Sequence, residues 1–206
     1  MDWVDDLNAL EIRRNRRKWK PFLDKYNIKR ICEVGVFASQ NFKRLLEGNP
    51  EVIVGVDAWI ADGNPGHNDS NFTQEQLDAQ CEYFKSLMHR FPSIRLYRMM
   101  SDEAAQNFPD EYFDLIYIDG DHSYEGVRKD LEAWWPKVKR GRFFLGDDYS
   151  HSHAPVNGMK FEVIEAVDEF ANKNGLIVNK LTQNGWAILK PLDASITPIS
   201  APNNSY

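Results

Sequence analysis

Short, almost wholly apolar runs alternate along this chain with longer amphipathic segments, and this alternation constrains the fold more than any single motif. Such runs lie at residues 28–36, 51–59, 112–120 and 141–147. A strand that is apolar on both faces needs cover on both sides, which parallel strands receive from the helices that connect them. The pattern therefore predicts an α/β fold with a mostly parallel sheet between layers of helices.

The segments between these runs have helical periodicity, and both ends of the chain add further elements. Before residue 28 the pattern is helical from residue 2 to about 18, and Pro21 interrupts or restarts it because proline cannot continue a helix. After residue 175 two strand-like runs flank a short turn, which predicts an antiparallel hairpin. The other predicted elements are helices at 39–48, 73–91, 101–108, 124–135 and 161–175 and a strand at 93–99, with Ser101 as the N-cap of the 101–108 helix.

The length and composition fit one globular domain with additions at both ends. The chain has 206 residues, of which 42% are hydrophobic. We expect an N-terminal helical extension at 1–27, a single Rossmann-like domain at 28–192 and a loose tail at 193–206. The long polar segment at 60–72 is typical of a binding loop or lid.

The net charge and the cysteines indicate which classes of partner and which cellular compartment to expect. With 25 basic and 31 acidic residues the chain is acidic overall, which disfavours nucleic acid as a partner. The basic run at 13–20 predicts a solvated segment and leaves contact with an anionic surface as an alternative. No run of roughly 18 apolar residues and no signal-peptide pattern occurs. Since Cys32 and Cys81 fit free buried thiols, we expect a cytoplasmic protein without a membrane span.

Acidic side chains recur where the predicted strands end. The carboxyl ends of parallel strands lie at one edge of a sheet, and open α/β sheets bind their ligands at this edge. Either acidic pair after the later strands could, by itself, be a solvated turn, but the convergence of several strand ends predicts a functional site. The acidic residues concerned are Glu33, Asp57, Asp119, Asp121, Asp147 and Asp148.

The turn after the first strand, EVGVFAS at 33–39, indicates the kind of ligand. Gly35 would let the backbone approach a ligand closely, and Ser39 would cap the following helix. A dinucleotide site needs the pattern G-x-G-x-x-G, of which only the first glycine is present, and this argues against NAD. Asp57, at the end of the next strand, is suited to accept hydrogen bonds from ribose hydroxyls. A ribose without a diphosphate indicates an adenosyl ligand such as S-adenosylmethionine.

Three stretches resemble the class I S-adenosylmethionine-dependent methyltransferases: EVGVFAS, VGVDAW and FDLIYIDGDHSYEGVRKDLEAWWPKVKRGRFFLGDDY. The resemblance covers about residues 28–190. The longest block is similar to the metal-dependent sugar O-methyltransferases of the macrocin O-methyltransferase-like group. Ser39 departs from the pattern, because many relatives carry glycine there. The resemblance implies a Rossmann-like methyltransferase fold.

The resemblance also implies roles for the acidic residues. Asp119, Asp147 and Asp148 would bind Mg²⁺ (or Mn²⁺), a cation that prefers hard oxygen ligands. Asp121 matches the position of the general base that takes the proton of the acceptor hydroxyl. His122 beside it is a competing base, with a supporting or surface role as the alternative.

The remaining predicted site residues would surround the cofactor and the acceptor. Trp59 would flank the adenine and Ser101 would contact its edge. The loop at 149–158 follows the metal pair and would line the acceptor pocket, with an exposed loop as the alternative. The predicted cofactor residues are Glu33, Gly35, Ser39, Asp57, Trp59, Ser101 and Asp119, and the predicted acceptor residues are Tyr149, His151 and His153.

Together these features predict a Mg²⁺-dependent enzyme that methylates a hydroxyl of a sugar or of a glycosylated small molecule. The first alternative is a catechol-like phenol as acceptor, for which Asp121 would matter less because a phenol ionises more easily. The second is a nucleotide- or sugar-binding module without catalysis. A small NAD-dependent oxidoreductase is disfavoured by the missing glycines. The expected partner is a small-molecule acceptor, and the resemblance allows a homo-oligomer.

Overall fold

A seven-stranded sheet forms the centre of the computed structural model, which describes residues 3–10, 18–61, 72–150, 161–182 and 184–192. The strands are β1 (Arg30–Val34), β2 (Val52–Val56), β3 (Ile94–Tyr97), β4 (Phe113–Ile118), β5 (Val138–Gly146), β6 (Asn179–Lys180) and β7 (Trp186–Leu189). The helices are α1 (Trp3–Asn8), α2 (Lys20–Lys25), α3 (Gln40–Leu46), α4 (Gln74–Arg90), α5 (Ser101–Ala105), α6 (Tyr124–Trp134) and α7 (Val163–Asn174), and a 3-10 turn at Trp135–Lys137 leads into β5.

The strand order is β3-β2-β1-β4-β5-β7-β6. Strands β1 to β5 pair in parallel, and β7 pairs antiparallel with both β5 and β6. The predicted α/β fold, with its mostly parallel sheet and C-terminal antiparallel pair, is therefore confirmed. The chain order reverses between β1 and β4, so the topological switch point lies between the ends of these two strands.

The two faces of the sheet contact different helices, which explains the continuous apolar runs. On β4, Leu115 and Tyr117 face the layer that contains α1 to α4, whereas Ile116 and Ile118 face the layer that contains α5 to α7. Successive side chains of a strand point to opposite faces, so both sets must be apolar.

The N-terminal helices pack on the first of these layers. The ring of Phe22 on α2 lies 4.9 Å from that of Phe143 on β5, and Trp3 on α1 lies 5.6 Å from the same ring. The extension thus buries its aromatic residues against the sheet. The proposed limits of the extension at 1–27 and of the domain at 28–192 stay a prediction.

Several predicted element boundaries differ from the structure. Helix α1 ends at Asn8, and the following segment at 11–17 lies outside the described residues. Pro21 stands in the first turn of α2, where a proline is tolerated because that N–H has no helical partner. The N-cap of α5 is Met100, not Ser101, and Ser39 precedes α3 in a left-handed conformation without a capping side-chain bond. Most of the loop at 60–72 and the whole tail at 193–206 are outside the described residues.

Asp114 anchors the amino end of β4. Its carboxylate accepts hydrogen bonds from the backbone N–H groups of Lys29 and Arg30, each at 2.9 Å, and from Lys139 Nζ at 2.7 Å. Burial on its own would raise the pKa of Asp114, but these donors outweigh it and lower the pKa. The buried charge is therefore matched by donors from β1 and β5.

None of the helices in the described ranges combines the length and apolarity that crossing a bilayer requires.

Candidate active site

The turns that follow β1 and β4 pack backbone against backbone at the switch point. Asp119 N donates to Val34 O at 2.8 Å, and a Cβ atom on Gly35 would collide with the backbone carbonyl of Asp119. Gly35 also has a φ of 84°, which glycine adopts at little cost. The close approach of the Asp119 backbone explains the need for glycine here, and the predicted approach of a ligand to Gly35 stays a prediction. This packing brings Glu33 and Asp119 to the same place.

Glu33 and Ser39 place buried polar atoms beside this turn. Glu33 is 1% exposed, and its Oε1 accepts a hydrogen bond from Asn41 Nδ2 at 3.2 Å. Glu33 Oε2 and Ser39 Oγ have no hydrogen-bond partner among the described residues. Burial raises the pKa of Glu33, the nearby Asp119 carboxylate raises it further, and Asn41 opposes the shift. Because buried polar atoms are nearly always paired in folded proteins, polar groups of a ligand could pair with these two atoms.

Asp57 joins the turn after β1 to the end of β2. Its Oδ2 accepts from the backbone N–H of Phe37 at 2.8 Å, and its Oδ1 accepts from that of Trp59 at 2.9 Å. Burial raises the pKa of Asp57, and these backbone donors oppose the shift. Each carboxylate oxygen can accept a second bond, so capacity for a ribose hydroxyl remains.

The Trp59 side chain packs in the core, although its backbone N–H contacts Asp57. Its side chain is fully buried, and its ring lies 5.9 Å from that of Phe84 on α4. The indole N–H donates to Phe37 O at 3.3 Å. The structure therefore places this indole in the core, against α4.

A potential metal site lies at the ends of β4 and β5. Asp119, His122 and Asp148 each offer one ligand atom, and these atoms lie within 4.8 Å of one another. His122 Nε2 is 2.8 Å from Asp148 Oδ2 and 3.6 Å from Asp119 Oδ1. The composition differs from the predicted trio, because Asp147 Oδ2 accepts a hydrogen bond from Tyr117 Oη at 3.0 Å while His122 joins the group.

The side chains of this group change one another's pKa values. Burial on its own would lower the pKa of His122, but the carboxylates of Asp119 and Asp148 outweigh it and raise the pKa. Burial raises the pKa of Asp119, His122 opposes the shift, and the carboxylates of Asp147 and Asp148 add to it. Carboxylates suit Mg²⁺ and Mn²⁺, and imidazole suits transition-metal ions, so this donor set fits a divalent cation.

Asp121, the predicted base, lies over the first turn of α6. Its Oδ1 accepts from Ser123 N and its Oδ2 from Ser123 Oγ, both at 2.9 Å. Ser123 is also the N-cap of α6, and its Oγ accepts from Gly126 N at 3.2 Å. Asp121 therefore has a fixed orientation next to the potential metal site, although it is not a member of that group.

Ser101 belongs to a buried polar group at the start of α5. Its Oγ accepts from Trp134 Nε1 at 2.8 Å, and it also forms a hydrogen bond with Asp130. Burial raises the pKa of Asp130 to about 7, with Ser101 opposing the shift and the charges of Asp121 and Asp102 adding to it. Sequence reasoning missed Asp130, since nothing in the helical pattern of α6 distinguishes it from a solvated position.

Of the predicted acceptor residues only Tyr149 is described. Its hydroxyl donates to Asp168 Oδ1 on α7 at 2.6 Å, which holds the ring against that helix. His151 and His153 lie outside the described residues.

The sheet order, with acidic side chains at the ends of β1, β2, β4 and β5, is typical of methyltransferase α/β domains. A family model described as "Methyltransferase domain" matches residues 33–149, which is more than half of the chain. The chain belongs to this family.

Solved structures of low sequence identity share the fold. A caffeoyl-CoA O-methyltransferase candidate from Staphylococcus aureus is 17% identical, with a TM-score of 0.60 over 82% of this chain and 78% of that one. The O-methyltransferase NovP is 14% identical, with a TM-score of 0.58 over 91% and 79%. An O-methyltransferase from Bacillus cereus in complex with SAH is 14% identical, with a TM-score of 0.55 over 91% and 86%.

One curated relative has a detectable sequence match. The uncharacterized protein y4gI of Sinorhizobium fredii is 30% identical over 86 residues, which are 40% of this chain and 8% of that protein. The match thus spans a small part of a much longer relative.

Proposed function

We propose that this chain transfers a methyl group from S-adenosylmethionine to a hydroxyl of a small-molecule acceptor, a sugar or a glycosylated compound, with Mg²⁺ or Mn²⁺ as the metal. One observation carries the proposal. The group formed by Asp119, His122 and Asp148 lies next to the buried Glu33 carboxylate at the switch point, in a chain of the methyltransferase family. The structural neighbours named above as O-methyltransferases support an oxygen acceptor.

The cofactor would lie across the ends of β1 and β2. Glu33 Oε2 can accept a hydrogen bond from the ammonium group of S-adenosylmethionine, and Ser39 Oγ can bond to its carboxylate. Asp57 would accept from the ribose hydroxyls, and Ser101 would lie toward the adenine. Glu33 Oε2 and Ser39 Oγ have no hydrogen-bond partner among the described residues, and this favours a ligand with an amino-acid end.

The cation would be held by Asp119, His122 and Asp148, with Asp147 fixed close by through Tyr117. When bound, the cation would lower the pKa of the acceptor hydroxyl, while S-adenosylmethionine would supply the methyl group. Burial raises the pKa of Asp119, His122 opposes the shift, and repulsion from the carboxylates of Asp147 and Asp148 adds to it. A divalent cation would relieve this repulsion, which supports the fit.

Asp121 would take the proton from the acceptor hydroxyl. The two hydrogen bonds from Ser123 restrict its rotamer, so one carboxylate orientation is already selected before the acceptor binds. His122 is engaged with the metal carboxylates, which favours Asp121 over His122 as the base. Tyr149, His151 and His153 would contribute to the acceptor pocket, and residues 28–192 would form the catalytic domain.

The first test is calorimetric titration of the full chain with S-adenosylhomocysteine and, separately, with NAD. Binding of the first ligand alone is expected. Methyl transfer from labelled S-adenosylmethionine should then be measured on panels of sugars and catechols, with Mg²⁺, with Mn²⁺ and with a chelator. Failure to bind S-adenosylhomocysteine would overturn the proposal. Transfer to catechols that survives Asp121→Ala would replace the sugar acceptor by a phenol.

A further inference from the structure

We propose that Trp19, which directly precedes α2, is a positioning residue that orients Glu33 through Asn41. The inference rests on the proposed function, in which Glu33 receives the ammonium group of S-adenosylmethionine. It assigns to the N-terminal extension a part in cofactor binding, although Trp19 itself would not touch the cofactor.

A chain of two hydrogen bonds connects these three residues. Trp19 Nε1 donates to Asn41 Oδ1 at 2.7 Å, and Asn41 Nδ2 donates to Glu33 Oε1 at 3.2 Å. Trp19 is fully buried and Glu33 is 1% exposed, so water does not compete freely for either end of the chain. Buried polar groups of this kind fix one another's orientation.

The indole N–H decides which way the Asn41 amide points. An amide has a carbonyl side that only accepts and an NH₂ side that only donates, whereas the indole N–H only donates. In the reverse orientation the Asn41 carbonyl would face the Glu33 carboxylate, and its NH₂ group would face another donor. Trp19 therefore favours the orientation in which Asn41 donates to Glu33.

This orientation prepares Glu33 for a cation. Burial disfavours the ionised carboxylate, and the Asn41 donor opposes that effect. Because Asn41 engages Oε1, the partnerless Oε2 is the oxygen that stays available for a ligand. Without the indole N–H of Trp19 the Asn41 amide could rotate. Glu33 would then bind the ammonium group of the cofactor more weakly.

The test uses two ligands that differ in the amino-acid end. S-adenosylhomocysteine carries the ammonium and carboxylate groups, and 5′-methylthioadenosine lacks them. Trp19→Phe keeps an aromatic ring in the core but removes the N–H donor together with the pyrrole ring that carries it, so a packing control is needed. We expect this variant to bind S-adenosylhomocysteine about tenfold more weakly and 5′-methylthioadenosine with unchanged affinity, since a hydrogen bond to a charged group is at stake.

Two further variants separate positioning from packing. In a Glu33→Gln background, Trp19→Phe should cause no additional loss of S-adenosylhomocysteine affinity, because the carboxylate on which it acts is gone. Phe22→Leu is the packing control, since the Phe22 ring lies 6.5 Å from that of Trp19 and takes no part in the hydrogen bonds. It should lower the melting temperature without changing the affinity ratio of the two ligands. If Trp19→Phe does not fold, Asn41→Leu replaces it in the same titrations.

The outcomes distinguish this inference from the proposed function. A wild-type protein that binds neither ligand would overturn the proposed function. A wild-type protein that prefers S-adenosylhomocysteine, together with a Trp19→Phe variant that keeps the same preference, would overturn the positioning role alone.

Discussion

The two ends of β4 carry buried or half-buried carboxylates in opposite electrostatic situations. At the amino end, Asp114 accepts bonds from two backbone N–H groups and from Lys139, and its pKa is lowered. Just beyond the carboxyl end, Asp119 lies among Asp147 and Asp148, and its pKa is raised. Removing a charge from water is costly unless donors compensate it. The fold therefore compensates Asp114 with three donors, whereas at the Asp119 end it places His122 against several carboxylates, and the proposed cation would supply further positive charge.

The largest expected effect comes from removing charge at the Asp119 end. Asp148→Asn should reduce metal-dependent methyl transfer and Mn²⁺ affinity by more than about 100-fold, because one ligand of the proposed cation is lost. Its thermal stability should fall, because the buried His122 loses the carboxylate that lies 2.8 Å from its Nε2. Initial rates, Mn²⁺ titration followed by electron paramagnetic resonance and thermal melts check the three quantities. Unchanged Mn²⁺ affinity would remove Asp148 from the proposed metal site.

A different result is expected at the Asp114 end. Asp114→Asn should lower the free energy of unfolding by about 3 kcal/mol, because Lys139 and two backbone donors lose a charged acceptor. The folded fraction should bind S-adenosylhomocysteine normally. Since the pKa of Asp114 is lowered in the folded state, this stabilisation is present above the ordinary aspartate pKa and is lost as pH falls through the folded value. Denaturant unfolding at neutral and acidic pH measures it, and equal losses at both would contradict the assignment.

Asp130 extends the comparison, because its contribution to the free energy of unfolding should depend on pH in the direction opposite to that of Asp114. Its folded pKa of about 7 lies above the ordinary value of 3.8, so the folded state holds a proton that the unfolded state releases. The free energy of unfolding contributed by Asp130 therefore falls as pH rises from about 4 to about 7. Relative to the wild type, Asp130→Asn should gain about 4 kcal/mol over this interval, since the folded and unfolded pKa values differ by about three and each unit is worth roughly 1.4 kcal/mol. A stability difference that is flat with pH would argue that Asp130 is ionised in the folded protein.

An exposed carboxylate should show almost no effect and serves as the control for both ends. Asp24 pairs with Lys20 one helical turn away, and both side chains are more than half exposed. Asp24→Asn should change the free energy of unfolding by less than about 0.5 kcal/mol and leave methyl transfer unchanged. A larger change in the same denaturation experiments would show that general charge effects contribute to the other variants.

The sheet could be predicted from the sequence because its cause is local in the sequence. Strands with two apolar faces require helices on both sides, and the polar hairpin turn near residue 184 marked the antiparallel pair. Asp114 could not be recognised in the same way. It lies inside the apolar run FDLIYI, and its partners Lys29, Arg30 and Lys139 are remote in the chain.

The sequence predicted where the site lies in the fold, but it did not predict how the side chains of the site are arranged. Strand ends brought Asp119 and Asp148 together as the pattern predicts, and their role as metal ligands stays a prediction. The turn after β4 carries His122 back toward these carboxylates, while Asp147 turns toward Tyr117. Directions of consecutive side chains after a strand depend on backbone angles that residue types do not specify. The bonds between Trp19, Asn41 and Glu33 left no signal in the sequence for a related reason, since they join three separate elements.

The backbone at Asp148 restricts how this site could change during divergence. Its φ of 59° lies in the left-handed region, which glycine, asparagine and aspartate occupy at low cost and most other residues do not. Substitutions tolerated by the turn are thus those that either keep the carboxylate, exchange it for an amide or delete the side chain. A homologue that loses the proposed metal while keeping this turn should therefore do so through asparagine or glycine, so the identity of this single residue would separate metal-dependent members from metal-independent ones.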